Sequence, residues 1–371
     1  MFPVPNPVAK NRVGPEGALV KPISATKPVI VPESILCAFI AALFMARGMA
    51  RASAEAVARV LVWADLRGGD THGVSRTAHY FGMIDKGALK PLAEPRIRVD
   101  FGALVAFDAQ GAAGPVAMMK ALEEAQTRAR AHGVGLAIVG GATHAGAMGC
   151  YAEAAARNGF AAIVFAAGPP LMAYEGARIP SVSTAPIAMA VPGGPEGVIL
   201  LDMASSRISN GRLKQARRDG ETLPEGAALD AQGRETSDPA AAEVLLPVGG
   251  PKGAGFALMV ECIASLLAGA PILTRMLGEG KKGHGQNATI ILIDIARLRA
   301  QGEFTADVDA LAEIVKALPR AEGAGPIRLP GERGARLADQ RRRDGVSVSP
   351  KIWAELVELA STHKIAVPET A

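Results

Sequence analysis

Thr71-His72-Gly73-Val74-Ser75-Arg76, with Tyr80 four residues beyond, is the part of this chain richest in chemistry. A spacing of four sets His72, Arg76 and Tyr80 on one face if the segment is a single helix. The imidazole then offers a proton donor or acceptor near neutral pH. The guanidinium offers a fork for a carboxylate, and the phenol a hydroxyl that can orient either. Such a set suits a small organic acid. An ordinary polar helix face carries the same residues, so the surroundings must decide.

Three further places could join it. His144 lies in Gly141-Ala142-Thr143-His144-Ala145-Gly146, between the end of one expected strand and the start of a helix. That junction meets ligands in many α/β sheets, and a helix N-terminus nearby favours an anion and lowers an imidazole pKa. The same histidine could equally cap the turn. Asp202 ends the strand 198-VILLD-202 and is followed by Met203, Ala204 and, further on, Arg207. A strand-end carboxylate can accept from ribose hydroxyls and an arginine can meet a phosphate, or the acid can simply cap the turn. Pro251-Lys252-Gly253 opens a helix, where free N–H groups and a lysine suit an anion; a solvated lysine on a tight turn reads the same. Gly278-Glu279-Gly280-Lys281-Lys282-Gly283 matches G-x-G-x-x-G as text, but it follows a helix and precedes a strand, the reverse of the dinucleotide fingerprint. It reads as a surface loop. His79, His132, His284 and His363 lack such company and read as structural or exposed. No His, Cys, Asp or Glu cluster has metal spacing, so no metal is expected.

The elements that must position these groups follow from periodicity. One helix begins near Pro32, and a second after Ser53 as N-cap, with Val57, Val60, Leu61 and Ala64 as its buried stripe. A strand over 103–108 precedes a helix over 115–131, with Met118, Leu122 and Ala125 inward. A strand from Leu136 to Val139, a turn at Gly140-Gly141, a helix from about Gly146 to Asn158 and a strand from Ala161 to Ala166 then form a β-α-β unit, read as a parallel crossover. Strands 187–191 and 198–203 flank Pro192-Gly193-Gly194-Pro195-Glu196-Gly197 and read as a hairpin, so the sheet should be mixed. Residues 207–250 are polar and read as a long surface excursion. A helix over Gly255–Leu267, a strand over 289–295 and a helix begun by Ser349-Pro350, with Ile352, Trp353, Leu356 and Val357 inward, complete the chain.

Composition narrows the class. The 371 residues are 49% hydrophobic and 20% charged, which describes a large packed core rather than a disordered chain. A net charge of +4 is compatible with anionic substrates and too small to argue for nucleic acid. Cys37, Cys150 and Cys262 are far apart, which fits a reducing cytoplasm and argues against a disulfide framework. No apolar run reaches the roughly 18 residues of a membrane span, and the proline-rich start lacks the pattern of a signal peptide. The chain divides into an extension over 1–28, read as flexible or as an arm across a partner subunit, a helical part over 29–100, a central α/β domain over 101–305 and a C-terminal helical part over 306–371.

Seven ordered motifs together resemble the type-2 malate/L-lactate dehydrogenase family, which includes ureidoglycolate, sulfolactate and diketogulonate enzymes and reductases of cyclic imino acids. They are Ala64-Asp65-Leu66-Arg67-Gly68 leading into Thr71-His72-Gly73; the G-x-x-H-x-G stretch at His144; Gly176-Ala177-Arg178; Leu201-Asp202-Met203-Ala204; Thr236-Ser237-Asp238-Pro239; Gly250-Pro251-Lys252-Gly253; and Leu329-Pro330-Gly331-Glu332-Arg333. The resemblance covers about residues 30 to 360. It implies a non-Rossmann α/β fold, with a mixed, largely antiparallel sheet flanked by helices, a helical part drawn from both chain ends, and a homodimer. It also implies hydride transfer between NAD or NADP and a small 2-oxo or 2-hydroxy acid. His144 is implied as the acid/base, with His72 at the same site as its rival. Thr71, Arg76 and Tyr80 match substrate contacts. Gly168, Asp202, Met203, Ala204, Lys252, Gly331 and Glu332 match cofactor contacts.

The chain also departs from the family pattern. Ser183-Thr184-Ala185-Pro186 stands where the family has G-T-N-P, losing an amide side chain, and Ala167-Gly168 where it has an Asn/Ser pair, losing a polar contact expected near the cofactor. Thr71 replaces the serine of S-H-G, keeping the hydroxyl and adding a methyl. Three functions therefore stand side by side: a 2-hydroxyacid dehydrogenase, a reductase of cyclic imino acids, and a non-catalytic binding protein on the same scaffold. NADH and NADPH titrations separate the last from the first two.

Overall fold

The computed structural model describes residues 27–280 and 285–369. The first 26 residues of the extension read over 1–28, His284 and part of the glycine-rich stretch at 278–283 lie outside them. In chain order the elements are β1 (Val29–Val31), α1 (Glu33–Ala46), α2 (Arg51–Leu66), α3 (Thr77–Asp85), β2 (Arg96–Phe101), β3 (Leu104–Asp108) and α4 (Gly114–His132). There follow β4 (Val134–Ala142), α5 (Met148–Arg157), β5 (Phe160–Ala167), β6 (Met172–Ala173), β7 (Pro180–Val182), β8 (Ile187–Pro192), β9 (Val198–Met203) and α6 (Asn210–Asp219). The remainder are β10 (Ala228–Leu229), β11 (Glu235–Thr236), β12 (Val244–Leu245), α7 (Pro251–Val260), β13 (Gln286–Asp294), α8 (Gln301–Ala317), α9 (Glu332–Asp344), β14 (Val346–Val348) and α10 (Pro350–Thr362).

The central sheet has seven strands in the order β2-β3-β4-β13-β5-β8-β9. Only β3 and β4 pair in parallel; every other neighbour is antiparallel. The mixed, largely antiparallel sheet is therefore as expected, and so is the hairpin of β8 and β9. The β-α-β unit around His144 is different in kind. β4 and β5 run the same way, but β13 lies between them and bonds both, so their connection spans a gap of one strand. The unit is a parallel crossover that skips a strand; the crossover between directly paired strands is the preceding one, β3-α4-β4. Periodicity cannot see a strand inserted from more than a hundred residues away. α4 and α5 cover one face of the sheet, with Met118, Leu122 and Ala125 buried and an alanine-rich interface that brings backbones close.

A second core joins the two chain ends. α1, α2 and α3 pack with Val346, Val348, Trp353 and Leu356, and β1 pairs antiparallel with β14. Ser349 caps α10 by accepting from the Ile352 N–H, as its position before Pro350 predicts. Ser53, by contrast, is inside α2, whose N-cap is Ala50. Gly140 and Gly141 belong to β4 rather than to a turn.

Residues 207–250 are more than a surface excursion. They form α6 and three short strands that join β6 and β7 in a five-stranded sheet, in the order β11-β10-β12-β6-β7. Leu213, Ala216, Leu223, Ala228 and Leu245 are buried beneath it against α7. Each strand is two or three residues long, too short to show a period of two. After α7 the helix widens into a π-helical turn over Glu261–Leu266.

Candidate active site

The Thr71–Arg76 segment is two 3-10 turns, Asp70–His72 and Val74–Arg76, followed by α3. The expected single helix is broken at Gly73, and the cause is Asp65 at the end of α2. Its buried carboxylate accepts from the Val74 N–H at 2.7 Å, and a Cβ on Gly73 would fall 1.8 Å from Asp65 Oδ1. Only glycine lets the backbone pass. Loss of hydration pushes the Asp65 pKa up to about 8, against the pull of the Val74 N–H. Arg341 Nη1 donates to the Asp65 carbonyl, which ties α9 to the end of α2.

Breaking the helix does not separate its chemistry. Tyr80, fully buried, donates its single hydroxyl proton to the His144 carbonyl at 2.7 Å. His144 Nδ1 lies 3.1 Å from the same oxygen. The carbonyl can only accept, so Nδ1–H donates to Tyr80 Oη and the proton-free nitrogen is Nε2. The Gly146 N–H also faces Nδ1 at 3.4 Å, the longer and weaker of the two contacts to that nitrogen. The His72 ring stacks on His144 with centroids 5.7 Å apart, and Thr71 Oγ1 lies 3.1 Å from His72 Nδ1. Arg76 Nε donates to the Thr71 carbonyl at 2.5 Å, which leaves both terminal nitrogens for a ligand.

These groups are held largely neutral or cationic. Burial, then the charge of Arg76, lowers the His72 pKa to about 4. Burial, followed by His72, Arg76 and His79, takes His144 well below its ordinary value. Both rings are therefore unprotonated at neutral pH. Burial also lowers the pKa of Arg76, and no carboxylate bonds to it among the described residues.

A cleft of about 300 Å³ opens beside this group. His72 stands at one side, with Asp202, Arg67, Gly331 and Arg333 lining the rest. The cleft thus joins a histidine expected on the substrate side to two residues expected at the cofactor. Asp202 Oδ2 accepts from the Gly149 N–H at 3.1 Å, at the start of α5. A Cβ on Gly149 would lie 2.5 Å from that oxygen. The helix N-terminus expected to serve His144 is thus turned to Asp202. Asp202 is open along its strand edge, yet its carboxylate faces protein, and lost hydration raises its pKa to about 6 against Gly149 and Arg67. Arg67 donates to the Gly331 carbonyl at 3.1 Å and is held by buried Glu153, which also accepts from Trp63 Nε1 at 2.7 Å.

The remaining expected cofactor residues divide. Met203 and Ala204 continue from Asp202 at the sheet edge. Gly168 lies at the end of β5, where a Cβ would sit 3.4 Å from Gln286. Lys252 is exposed at the start of α7, beyond the residues that line the cleft. Glu332 is turned away: its carboxylate meets Lys316 at 2.8 Å, Arg336 and the Leu329 N–H, and is buried there. It holds the loop that positions Gly331. The Arg207 guanidinium packs by Gly226, in the small sheet rather than the cleft.

Several participants escaped sequence reasoning. His79 lies edge-on to His144, with ring centroids 6.0 Å apart, although it read as a bystander. Gln286 Oε1 accepts from the Ala145 N–H and Asn287 Oδ1 from the Gly141 N–H, both at 2.8 Å, so β13 clamps the His144 loop from across the sheet. An amide pair at a strand start was the only available signal. Ala185, the alanine in place of an asparagine, has φ +30°, a region that asparagine tolerates better. The Ser183 hydroxyl accepts its N–H at 3.0 Å. Thr71 is pressed on α6: a Cβ on Gly211 would lie 2.3 Å from Thr71 Cβ and 2.8 Å from both its methyl and its hydroxyl.

A neutral histidine pair beside an arginine, next to a cleft with a single carboxylate among glycines and arginines, suits an oxidoreductase of organic acids, and comparison with known proteins agrees in class. The chain belongs to the malate/L-lactate dehydrogenase family, whose model matches residues 31–357. It is 30% identical to the 2,3-diketo-L-gulonate reductase of Citrobacter koseri over 320 residues, 85% of this chain and 96% of that one. The sulfolactate dehydrogenase of Methanocaldococcus jannaschii superposes with a TM-score of 0.82 at 30% identity, covering 91% of this chain and 98% of the other. The delta1-piperideine-2-carboxylate reductase of Pseudomonas syringae superposes with a TM-score of 0.79 at 27% identity, covering 89% and 99%.

Proposed function

We propose that this chain transfers hydride between a nicotinamide cofactor and the 2-position of a small 2-oxo or 2-hydroxy acid, with His144 as acid/base. The observation that carries the reading is the His144–Tyr80 contact beside the Asp202 cleft. It fixes a buried imidazole with its proton-free nitrogen available, next to an arginine fork.

The residues of the cleft fit a dinucleotide. Asp202 can accept from ribose hydroxyls, the exposed Arg333 can meet a phosphate, and Gly68, Gly331 and Gly334 keep the walls low. When bound there, the nicotinamide would supply or take the hydride. Arg76 binds the substrate carboxylate through its two terminal nitrogens and so orients the reacting carbon. In oxidation, His144 Nε2 takes the hydroxyl proton; in reduction, the protonated ring returns it. A positioned base of this kind contributes about 10²–10⁴-fold. With the Thr71 hydroxyl donating to Nδ1, His72 presents Nε2–H to the substrate oxygen. Enclosure by Tyr80 and the His144 loop excludes water from these groups.

A cyclic imino acid is the second reading, supported by the likeness to the Pseudomonas syringae reductase; Arg76 serves its carboxylate equally. A homodimer fits the exposed apolar side chains Leu258, Met259, Leu266 and Leu267 along α7 and the turn after it. Three free cysteines suit a reducing cytoplasm; no helix among the described residues is long and apolar enough to cross a membrane.

The test is a nicotinamide absorbance screen of 2-oxo acids and cyclic imines with NADH and NADPH, alongside calorimetric titration of both cofactors. Turnover of at least one acid is expected. Binding of neither cofactor would leave only the non-catalytic reading that Ala167 and Ala185 suggest.

A further inference from the structure

Arg76 does not stand alone among the cations at this site. α6 lies between two surfaces. Leu213 and Ala216 are buried in the core of the small sheet, and Gly211, on the opposite face, packs on Thr71. Counting by helical turns, Lys214 and Arg218 share the Gly211 face, at i+3 and i+7. That face is turned to the 3-10 turns carrying His72 and Arg76. The electrostatics agree: Lys214 loses basicity first to partial burial, then to the charges of Arg76, Arg217 and Arg218. Arg76 in turn feels Arg218.

Neighbouring cations on α6 are neutralised or occupied. Arg212 pairs with Glu221 at 2.5 Å, and Arg217 donates to the Pro239 and Ala242 carbonyls. Among the described residues, no carboxylate pairs with Arg76, Lys214 or Arg218. Arg76 is half-buried and Lys214 and Arg218 are exposed on the neighbouring face of α6; three like charges so placed repel each other until an anion arrives. A single carboxylate held by Arg76 leaves the two α6 cations uncompensated.

We propose that Lys214 and Arg218 of α6 bind a second anionic group on the substrate, a carboxylate or sulfonate at the far end of the 2-oxo or 2-hydroxy acid. This inference rests on the reading of Arg76 as the site of the first carboxylate. It makes α6, and the small sheet that carries it, the specificity element of the site. It also gives Gly211 a reason: only a residue without a side chain lets the cation-bearing face approach Thr71. The attraction is electrostatic and part-exposed, so added salt should weaken it.

The test is calorimetric titration of the full chain with L-malate and with L-lactate, in the presence of NADH. Wild-type protein should bind the dicarboxylate about tenfold tighter or more. In Lys214→Ala/Arg218→Ala that advantage should fall by about tenfold, while lactate affinity moves less than about threefold. Lys214→Gln, which keeps the packing length, should reproduce part of the loss. Equal binding of the two acids by wild-type protein, or an unchanged preference in the double variant, overturns the proposal. So does a loss of NADH affinity in place of malate affinity, which would assign the cations to the cofactor. Malate binding with no oxidation when NAD+ or NADP+ replaces NADH breaks the functional reading and leaves this inference standing.

Discussion

Around His144 the chain bonds buried side chains to one another, whereas around Asp202 it relies on backbone brought close by glycine. The first region holds Tyr80, His72, Thr71 and Arg76 within single hydrogen bonds or ring contacts. It is cationic, with both imidazoles neutral. The second has one carboxylate, set on the Gly149 N–H, and walls of glycine and arginine. The lesson is a division of labour. Chemistry needs protonation states held fixed, which burial and mutual bonding achieve. Holding a large, polar cofactor needs access and hydrogen-bonding backbone, which an open cleft lined by small residues provides.

Substitutions on the two sides should therefore fail in different ways. His144→Ala is expected to have the largest effect, lowering kcat by about 10²–10⁴-fold with nicotinamide affinity unchanged, measured by steady-state rates beside calorimetry. If turnover survives within a few-fold, His144 is not the base and His72 takes that role. Asp202→Ala should do the reverse. It removes the acceptor expected for ribose hydroxyls, so cofactor Kd should rise about tenfold while kcat at saturation stays within about threefold. A change confined to kcat would erase the distinction between the two sides.

The smallest expected effects concern the scaffold under His72. Asp65→Ala leaves the buried Val74 N–H unpaired and should cost about 1–3 kcal/mol of stability, read by denaturant unfolding. Asp65→Asn keeps an acceptor and should cost less near neutral pH. The signs of the pH effects sharpen the comparison. The Asp65 pKa is raised from 3.8 to about 8, so folding takes up a proton and the group lowers stability as pH rises through that window. His72 is lowered from 6.5 to about 4, so its contribution is lost as pH falls from 6.5 toward 4. Asp65→Asn should flatten the alkaline arm and leave the acid arm in place.

How much of this was legible in the sequence depends on range. Local patterns carried well: the β8–β9 hairpin, the Ser349 cap, the inward stripe of α4, and the grouping of His72, Arg76 and Tyr80. The grouping held for a reason other than the one periodicity offered. A continuous helix was expected, but Asp65 and Gly73 fold the segment into two tight turns, and it is Tyr80 that reaches His144. Long-range pieces were invisible. β13 enters between β4 and β5 from the far end of the chain and brings Gln286 and Asn287 under the His144 loop. Glu332 carried a family motif yet is consumed by Lys316 and Arg336, since a motif names a position and not the direction of its side chain. His79 stands beside His144 because one helical residue precedes Tyr80, a proximity that spacing alone did not reveal.

The central claim is that the two regions form one site for hydride transfer. It is tested most directly with cofactor carrying deuterium at both positions of the transferable nicotinamide carbon, incubated with the full chain and a panel of 2-oxo acids and cyclic imines, the products read by NMR. The account predicts deuterium at C2 of the hydroxy acid formed, and much less of that labelled product from His144→Ala as turnover falls. Product without deuterium at C2, or no labelled product from any 2-oxo acid or cyclic imine in the panel, would contradict it.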